Sequence, residues 1–375
     1  MRRLDRLRRR SAARMDVQAM SKAKAGYKSG AATSGGEVNS TIKDVARIAG
    51  VSIKTVSRVI NHEPNVTDAM RRKVLDAVRR CDYVPNRSAR SLAGRRSFLI
   101  GLFYERQNSS YITRIQAGVL AYCRQEGYEL LIHPFGRGNE SVLPEIEKVV
   151  QRSNLDGVIL TPYFSEWTQL LDFFDGTGLP YARVTSVPND YRSPFVSCDD
   201  FDAAFRMTKY LIALGHKRIG FIKGHLRHNS ATQRHAGYVA AMEAEQLPLS
   251  PDLVVQGDYS FVSGEAGART LLDSAAGVTA IFASNDDMAA GALRIAHERK
   301  LAIPDDISIV GFDDADIARK LWPALTTVRQ PVRELASEAS ALLISSLRQE
   351  AGSGEAARRL LPLELIIRES AGRAK

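Results

Sequence analysis

From residue 98 onwards, short apolar stretches alternate with longer amphipathic stretches of helical length. The apolar stretches have the composition of buried strands, and they are residues 98–103, 129–133, 157–160, 181–185, 219–223, 253–256, 279–283 and 307–312. The amphipathic stretches include residues 112–126, 203–214, 232–245 and 286–300. This alternation predicts an α/β fold with doubly wound parallel sheets. About 275 residues are too many for one compact lobe, so we expect two similar lobes, with a crossing between them at residues 197–200.

The first 97 residues carry the positive charge of the chain. They contain 23 lysine and arginine residues against 8 acidic residues, whereas residues 98–375 contain 29 against 34. The resulting +15 indicates a polyanionic partner for the small end, and the −5 of the remainder indicates a different role. Residues 1–40 lack a periodic apolar pattern, as is typical of a disordered basic arm. This arm is either a nonspecific nucleic-acid tether or a segment upstream of a start at Met15 or Met20.

Residues 41–84 have the pattern of a small helical domain. The predicted helices are residues 42–49, 53–61 and 68–80. The first helix starts with a capping-box pattern at residues 41–44, and the second and third start with the cap residues Ser52 and Thr67. Gly50 suits a tight turn after the first helix. The buried stripe of the third helix is predicted to be Met70, Val74, Leu75 and Val78. Two short helices joined by a tight turn and braced by a third form a helix-turn-helix unit.

Several classes of protein do not fit this sequence. No apolar run has the ~20 residues needed to span a bilayer, and no apolar region follows the arginine-rich start, so neither a membrane protein nor a secretory signal is expected. Cys81, Cys123 and Cys198 are far apart, which argues against a disulfide framework or a zinc site and fits a reducing cytoplasm. Neither the dinucleotide fingerprint nor the P-loop motif occurs, so no nucleotide cofactor is expected.

A set of short strings occurs along the chain in a characteristic order. They are TIKDVARIAGVSIKTVSRVIN at 41–61, YVPN at 83–86, ARSL at 89–92, LGHKRI at 214–219, SND at 284–286, IVGFDD at 309–314 and LTTV at 325–328. With these strings the chain resembles the LacI/GalR family of bacterial transcription regulators from residue 41 to about residue 370. Each string is weakly specific by itself, but their order and spacing together are highly specific.

The resemblance implies that the second helix enters the major groove of DNA with its first residues at base edges. Ile53, Lys54 and Arg58 then occupy the specificity positions, where Arg58 can form paired hydrogen bonds with guanine and Ile53 can contact a thymine methyl group. Ser52, Thr55 and Ser57 are expected to contact phosphates, which set the register of the helix on the DNA but do not read its sequence. The remaining predicted DNA contact of this helix-turn-helix is Asn61. The alternative for Lys54 and Arg58 is an ordinary solvated helix face.

Residues 85–96 are predicted to be a hinge helix or a linker. They contain too few apolar residues for a short helix to be stable alone. The resemblance implies that the hinge helices of two subunits lie in the minor groove, where Leu92 inserts into a base step and kinks the duplex. Its alternative role is packing on the regulatory domain, and Ala93 stands where relatives often have a basic residue. The other predicted hinge contacts are Asn86, Ala89 and Arg90.

The resemblance also implies a domain like the periplasmic sugar-binding proteins, with a ligand cleft between two lobes. Ligands of such sheets bind beyond the carboxyl ends of the strands. The predicted effector-binding residues at those ends are Asn108, Tyr111, Phe164, Phe201, Ser230, Arg234, Tyr259, Asn285 and Asp313. Their amide, carboxylate, guanidinium and aromatic groups favour a sugar or polyol over a purine. As alternatives, Asn285 and Asp313 are cap or turn residues and Phe201 is a core residue.

These observations predict a cytoplasmic homodimer that binds a pseudo-palindromic double-stranded operator and represses sugar-use genes under the control of a small-molecule effector. Its predicted segments are the basic arm (1–40), the helix-turn-helix domain (41–84), the hinge (85–96) and a two-lobed effector-binding and dimerisation domain (97–375). The effector is either an inducer or a corepressor. The C-terminal run 360–367 predicts one strand without the heptad extension of a tetramer.

Two other classes of function are weighed against this one. A non-regulatory sugar-binding protein would lack the basic helical module at residues 41–92. An α/β enzyme is disfavoured because neither a G-x-S-x-G nor an H-E-x-x-H motif occurs, and no catalytic residue, metal ligand or cofactor site is predicted. His225 and His228 are interpreted as residues of a solvated loop.

Overall fold

The computed structural model describes residues 40–60, 66–83, 96–106, 110–136, 139–184 (without the side chains of 139–141), 191–274, 277–348 and 357–375. The chain divides into two compact units, Met1–Asn86 and Arg87–Lys375. The predicted contacts Asn61, Asn86, Ala89, Arg90, Leu92 and Asn108 lie outside the described residues, as does the arm 1–39.

The described residues of the first unit form three helices, as predicted. They are α1 (Ile42–Ala49), α2 (Ile53–Ile60) and α3 (Asp68–Arg80). Gly50 ends α1 in the left-handed region, with φ 57° and ψ 44°, where a glycine has no steric penalty. At the start of α1, hydrogen bonds from the hydroxyl and backbone N–H of Thr41 lower the pKa of Asp44 to about 2. Ser52 Oγ accepts from the N–H of Thr55 at 3.1 Å and so caps α2.

A small apolar core holds these three helices together. Val45, Val56 and Val74 contribute to it from α1, α2 and α3, and each is fully buried. The prediction that Leu75 belongs to the buried stripe of α3 is wrong, because its side chain is 41% exposed. The buried positions Val74 and Ala77 define the inner face of α3, and one further residue rotates Leu75 about 100° away from Val74.

The described residues of the second unit form two parallel sheets, so the predicted doubly wound α/β architecture is confirmed. The N-terminal lobe has a six-stranded sheet in the order β2–β1–β3–β4–β5–β11. Every neighbouring pair in it is parallel. Its strands are β1 (Leu99–Glu105), β2 (Glu129–Phe135), β3 (Gly157–Leu160), β4 (Tyr181–Val184), β5 (Phe195–Cys198) and β11 (Arg358–Leu361). The helices that accompany it are α4 (Ser110–Gln125), α5 (Asn139–Ser153), α6 (Thr168–Thr177) and α11 (Val332–Arg348).

The C-terminal lobe repeats this arrangement with a four-stranded parallel sheet in the order β7–β6–β8–β9. Its strands are β6 (Ile219–Lys223), β7 (Val254–Gln256), β8 (Ala280–Ala283) and β9 (Ser308–Val310). Its helices are α7 (Asp200–Ala213), α8 (Asn229–Ala244), α9 (Phe261–Asp273) and α10 (Asp286–Glu298). Apolar residues of α7 and α8 pack in one core cluster, and those of α9 and α10 pack in another. Each of these two helix pairs therefore packs in its own core cluster, as expected for a doubly wound fold.

The chain crosses between the lobes at the place that the sequence predicted. Strand β5 ends at Cys198 in the N-terminal sheet, and α7 begins at Asp200 in the C-terminal lobe. The prediction of a single strand over residues 360–367 is wrong, because this run forms two strands in different sheets. Strand β11 pairs with β5, whereas β12 (Glu364–Ile366) pairs antiparallel with β10 (Thr327–Arg329). Pro362 lies between them and has no N–H to donate, so it cannot extend a ladder.

His216 lies in the C-terminal lobe and gives a pH-dependent prediction. Its ring is 2% exposed, with Nδ1 3.0 Å from Thr279 Oγ1 and Nε2 3.0 Å from Ser308 Oγ. Burial lowers its pKa from the ordinary 6.5, so below that pH the unfolded chain binds a proton that the folded chain does not. His216 therefore makes the free energy of unfolding decrease as the pH falls below about 6.5.

Urea unfolding at pH 7.5 and pH 5.5 measures this contribution. We expect His216→Gln to lose less stability than the wild type over this range. His297→Gln is the matched control, because His297 is exposed. An equal loss of stability in the wild type and His216→Gln would contradict the prediction.

Candidate ligand cavity and nucleic-acid interface

One face of α2 is exposed and carries the predicted base-reading side chains. Val56 and Val59 are buried against the other helices, so the residues on the opposite side point outwards. Ile53 is 46% exposed, and Lys54 and Arg58 are also exposed. Ser52 is exposed as well, whereas Thr55 and Ser57 are half-buried. One apolar and two cationic side chains thus lie on the exposed face of a short helix, which is the arrangement that a helix-turn-helix presents to DNA.

A cavity of about 620 Å³, including its solvent-filled mouth, lies between the carboxyl ends of the two sheets. Its lining comes from both lobes. Six of the predicted effector-binding residues line it, namely Tyr111, Ser230, Arg234, Tyr259, Asn285 and Asp313. The sequence reasoning missed Glu105, Ile112, Thr161, Pro162, His228 and Gln330, which line it too.

Arg234 is the charged centre of the cavity wall and is only 4% exposed. Its Nε donates to Asp200 Oδ1 at 2.7 Å, and its Nη1 donates to the carbonyl oxygen of Ser284 at 2.5 Å. The guanidinium also lies over the ring of Phe312, 3.6 Å from its centroid, and 3.8 Å from Asp313 Oδ1. Because these contacts fix the guanidinium plane, Arg234 presents its remaining N–H groups in one orientation.

The two carboxylates beside Arg234 differ in position. Asp200 is the first residue of α7 and lies behind the guanidinium, whereas Asp313 follows β9 and lines the cavity. Burial raises the pKa of both carboxyls, that of Asp313 to about 6, although Arg234 opposes the shift. Arg114 of α4 donates from both Nη atoms to the carbonyl oxygen of Asp313 at 3.3 Å, and Asp313 has φ 117°. Asp313 is thus held in an unusual backbone conformation at a lobe contact.

Asn285, Tyr259 and Ser230 form a second polar group in the wall. Asn285 Oδ1 caps α10 by accepting from the N–H of Met288 at 3.0 Å, while its Nδ2 donates to the carbonyl oxygen of Tyr259. The hydroxyl oxygens of Tyr259 and Ser230 are 3.1 Å apart. A Cβ atom at Gly224 would lie 2.1 Å from the Tyr259 ring, so glycine is needed there for the ring to reach the cavity. Asn285 therefore fills its alternative role as a cap and lines the cavity as well.

Two predicted effector-binding residues do not line this cavity. Phe164 is fully buried in the N-terminal lobe, where its ring packs against those of Phe135 and Trp167. Phe201 is 39% exposed and lines a separate groove. For Phe201 the physical reason is the rotation of successive residues in a helix. Asp200 points towards Arg234, so its neighbour Phe201 points about 100° away from the cavity.

His228 also differs from its predicted environment. It was expected in a solvated loop, but it is 7% exposed and lines the cavity.

Some of the missed cavity residues could have been found from their positions at the ends of strands. Glu105 is the last residue of β1, two residues beyond the predicted end, and Thr161 directly follows β3.

The fold and these two sites define a class of protein, one with a helix-turn-helix unit and a two-lobed domain that encloses a small-molecule cavity. Residues 41–86 match the family model described as bacterial regulatory proteins, lacI family, and residues 208–371 match that of the periplasmic binding protein-like domain. The chain is 32% identical over 332 residues to the ribose operon repressor of Haemophilus influenzae, covering 88% of this chain and 98% of the relative. It is 33% identical over 332 residues to the HTH-type transcriptional repressor PurR of Pasteurella multocida, with the same coverage of both chains.

A solved structure shows the same similarity. The lac repressor dimer bound to operator and the anti-inducer ONPF superposes with a TM-score of 0.70 at 29% identity, covering 89% of this chain and 99% of the repressor. The chain belongs to the lacI family of bacterial regulatory proteins. The relatives compared are transcription regulators rather than enzymes. Within the described ranges, none of the helices is long and apolar enough to cross a membrane.

Proposed function

We propose that this protein is a transcriptional repressor that binds an operator through α2 and the hinge, and whose operator affinity is set by a neutral sugar in the interlobe cavity. The observation that carries the proposal is the convergence of side chains from both lobes on one cavity. A ligand that contacts both lobes binds the closed arrangement more tightly than an open one, and this difference is what shifts a conformational equilibrium.

The chemistry of the lining supports a neutral polyol. Among the described lining residues, Glu105 and Asp313 supply carboxylates, and Arg234 is the one guanidinium. Arg234 is already bonded to Asp200, and Glu105 accepts from Arg227. A phosphorylated or carboxylated ligand would therefore meet two carboxylates and a cation that is already paired. Hydroxyl groups can both donate to the carboxylates and accept from Arg234, and Tyr111 and Tyr259 offer aromatic faces. The relative named a ribose operon repressor makes ribose the first sugar to test.

The DNA-binding part of the proposal includes the segments outside the described residues. We propose that residues 1–40 form a basic arm, that residues 41–84 and 85–96 bind DNA, and that Asn61, Asn86, Ala89, Arg90 and Leu92 contact it as the sequence predicts. The lac repressor in the compared structure is a dimer on its operator. A homodimer of this chain would bind a pseudo-palindromic operator in the cytoplasm, since a two-fold protein matches two-fold DNA.

A thermal-shift screen of the full chain against a panel of sugars that includes ribose tests the ligand. A sugar that binds the folded state raises the unfolding temperature by mass action. Fluorescence anisotropy on a DNA site selected from random sequences then measures affinity with and without that sugar. We expect one sugar to stabilise the protein and to change operator affinity, and the direction of the change distinguishes an inducer from a corepressor. A stabilising sugar that leaves operator affinity unchanged would favour a non-regulatory binding protein, and consumption of the sugar would favour an enzyme.

A further inference from the structure

A carboxylate of the N-terminal lobe is docked on the first turn of a helix of the C-terminal lobe. Glu166 belongs to the short 3-10 helix Phe164–Glu166 that follows β3, and its Oε2 accepts from the backbone N–H of Asn229 at 2.8 Å. Asn229 is the first residue of the 16-residue helix α8. The positive end of a helix dipole favours a carboxylate at this position. The contact lies beside the ligand cavity, because Thr161 precedes this 3-10 helix and His228 precedes Asn229 in the chain, and both line the cavity.

Two further contacts join the lobes around the same cavity. Arg227 of the C-terminal lobe donates to Glu105 Oε1 at 3.2 Å and to the hydroxyl of Tyr163 at 3.0 Å, and its guanidinium lies 4.4 Å from the centroid of that tyrosine ring. Arg114 of the N-terminal lobe reaches the backbone of Asp313, as described above. Opening the cleft separates these partners. Guanidinium groups keep their charge throughout the physiological pH range, so the two arginine contacts hold at any such pH.

Glu166 differs from those arginines because its charge can change. Its Oε1 is buried and accepts no hydrogen bond within the described part of the chain, so one oxygen of the carboxylate has lost water without compensation. Asp200 acts on it electrostatically, and the titratable His228 directly precedes its hydrogen-bond partner Asn229. Burial raises the pKa of Glu166 to about 7, and the negative charge of Asp200 adds to this shift, while the Asn229 N–H opposes it.

We propose that Glu166 is a proton-linked latch, which ties the N-terminal lobe to α8 and takes up a proton as the cleft closes. In an open cleft the carboxyl is solvated and ionised near neutral pH. In the closed cleft the neutral carboxyl can still accept from Asn229 through one oxygen, while the other no longer carries an uncompensated charge. This property goes beyond the proposed function and does not depend on which ligand, if any, binds in the cavity.

Linkage gives the direction and size of the effect. Closing raises the pKa of Glu166 from its ordinary 4.5 to about 7, so the closed state holds more protons between these values. The closed state is therefore favoured as the pH falls, and the equilibrium constant for closure rises about tenfold between pH 8 and pH 6.

Trp167 is a natural reporter beside the latch. It directly follows Glu166, is 7% exposed, and stacks on Tyr163 with the ring centroids 5.9 Å apart. The chain has two tryptophans, and the other, Trp322, is 84% exposed, so Trp322→Phe leaves Trp167 as the sole reporter. Acrylamide quenching of the ligand-free full chain between pH 6 and pH 8.5 then follows the opening of this contact without any effector or DNA.

We expect quenching of Trp167 to be weaker at pH 6 than at pH 8.5. Glu166→Gln imitates the neutral carboxyl, so it should show weak quenching at every pH. Glu129→Gln is the matched control, since Glu129 is an exposed carboxylate of the same lobe, and it should keep the pH dependence. His228 is unchanged in all three proteins, so a difference between the wild type and Glu166→Gln reports on Glu166. Quenching that is independent of pH in the wild type, or a pH dependence that survives in Glu166→Gln, would overturn the proposal.

Discussion

Arg234→Ala is expected to abolish the response to ligand while leaving operator binding in place. The guanidinium donates to Asp200 and to the Ser284 carbonyl from a position with 4% exposure. Removing it leaves the Asp200 carboxylate buried without its cation, which destabilises a protein by about 3–5 kcal/mol. It also removes the one guanidinium among the described lining residues of the cavity. The free energy of unfolding and the change in operator affinity on adding the sugar measure the two effects.

Two variants separate the loss of stability from the loss of binding. Arg234→Met combined with Asp200→Asn removes both charges together, so we expect it to regain much of the stability but not the ligand response. Arg294→Ala is the matched control, because Arg294 is 59% exposed and pairs with Glu265 and Glu298 at the surface of the same lobe. Such exposed pairs contribute about 0–1 kcal/mol. A full ligand response in Arg234→Ala would show that the cavity does not bind the effector through this residue.

Arg58→Ala is expected to weaken binding to the selected operator by about 1–3 kcal/mol, roughly five- to 150-fold, and to spare binding to random DNA. Arg58 lies on the exposed face of α2, on the side opposite the buried Val56 and Val59. A guanidinium there can read a guanine through two hydrogen bonds, whereas a phosphate contact would contribute to every sequence alike. Titrations of both DNAs at one salt concentration measure the ratio of the two affinities.

The control for this prediction is Arg47→Ala. Arg47 is an exposed arginine of α1, outside the predicted recognition helix, and it pairs with Asp44. It has the same charge, so its removal should lower nonspecific affinity at most and leave the ratio of the two affinities unchanged. An equal loss on operator and on random DNA in Arg58→Ala would assign Arg58 to the phosphates instead of the bases.

The local elements were predictable because their signals are local. The capping-box pattern and Gly50 marked the start and end of α1, and the structure has this helix at Ile42–Ala49 as predicted. Strands β3 and β6 also begin and end where the apolar runs do. Strand β5 was not predicted, because residues 197–200 were interpreted as the crossing between the lobes. The segment is both a strand end and a crossing, since the chain leaves the N-terminal sheet at the last residue of β5, Cys198.

Prediction of the cavity lining was less complete, because the direction in which a side chain points depends on contacts with residues far away in the sequence. Tyr259 reaches the cavity since Gly224 leaves room for its ring, although the two residues are 35 positions apart in the sequence. Phe164 has the right place after β3 for a ligand contact, yet its ring is drawn into the apolar core of its own lobe. Burial of a large aromatic surface outweighs the gain from a ligand contact that exists only part of the time.

The sequence by itself determined the class of protein: a basic helix-turn-helix, followed by alternating strands and helices that build two parallel sheets. These features follow from hydrophobic periodicity, capping residues and charge, which act over a few neighbouring residues. Only the tertiary structure decided that Asp200 pairs with Arg234, that His228 lines the cavity, and that Glu166 meets the start of α8. Those groups come from separate strand ends and helix starts, and the packing of whole lobes sets the distances between them.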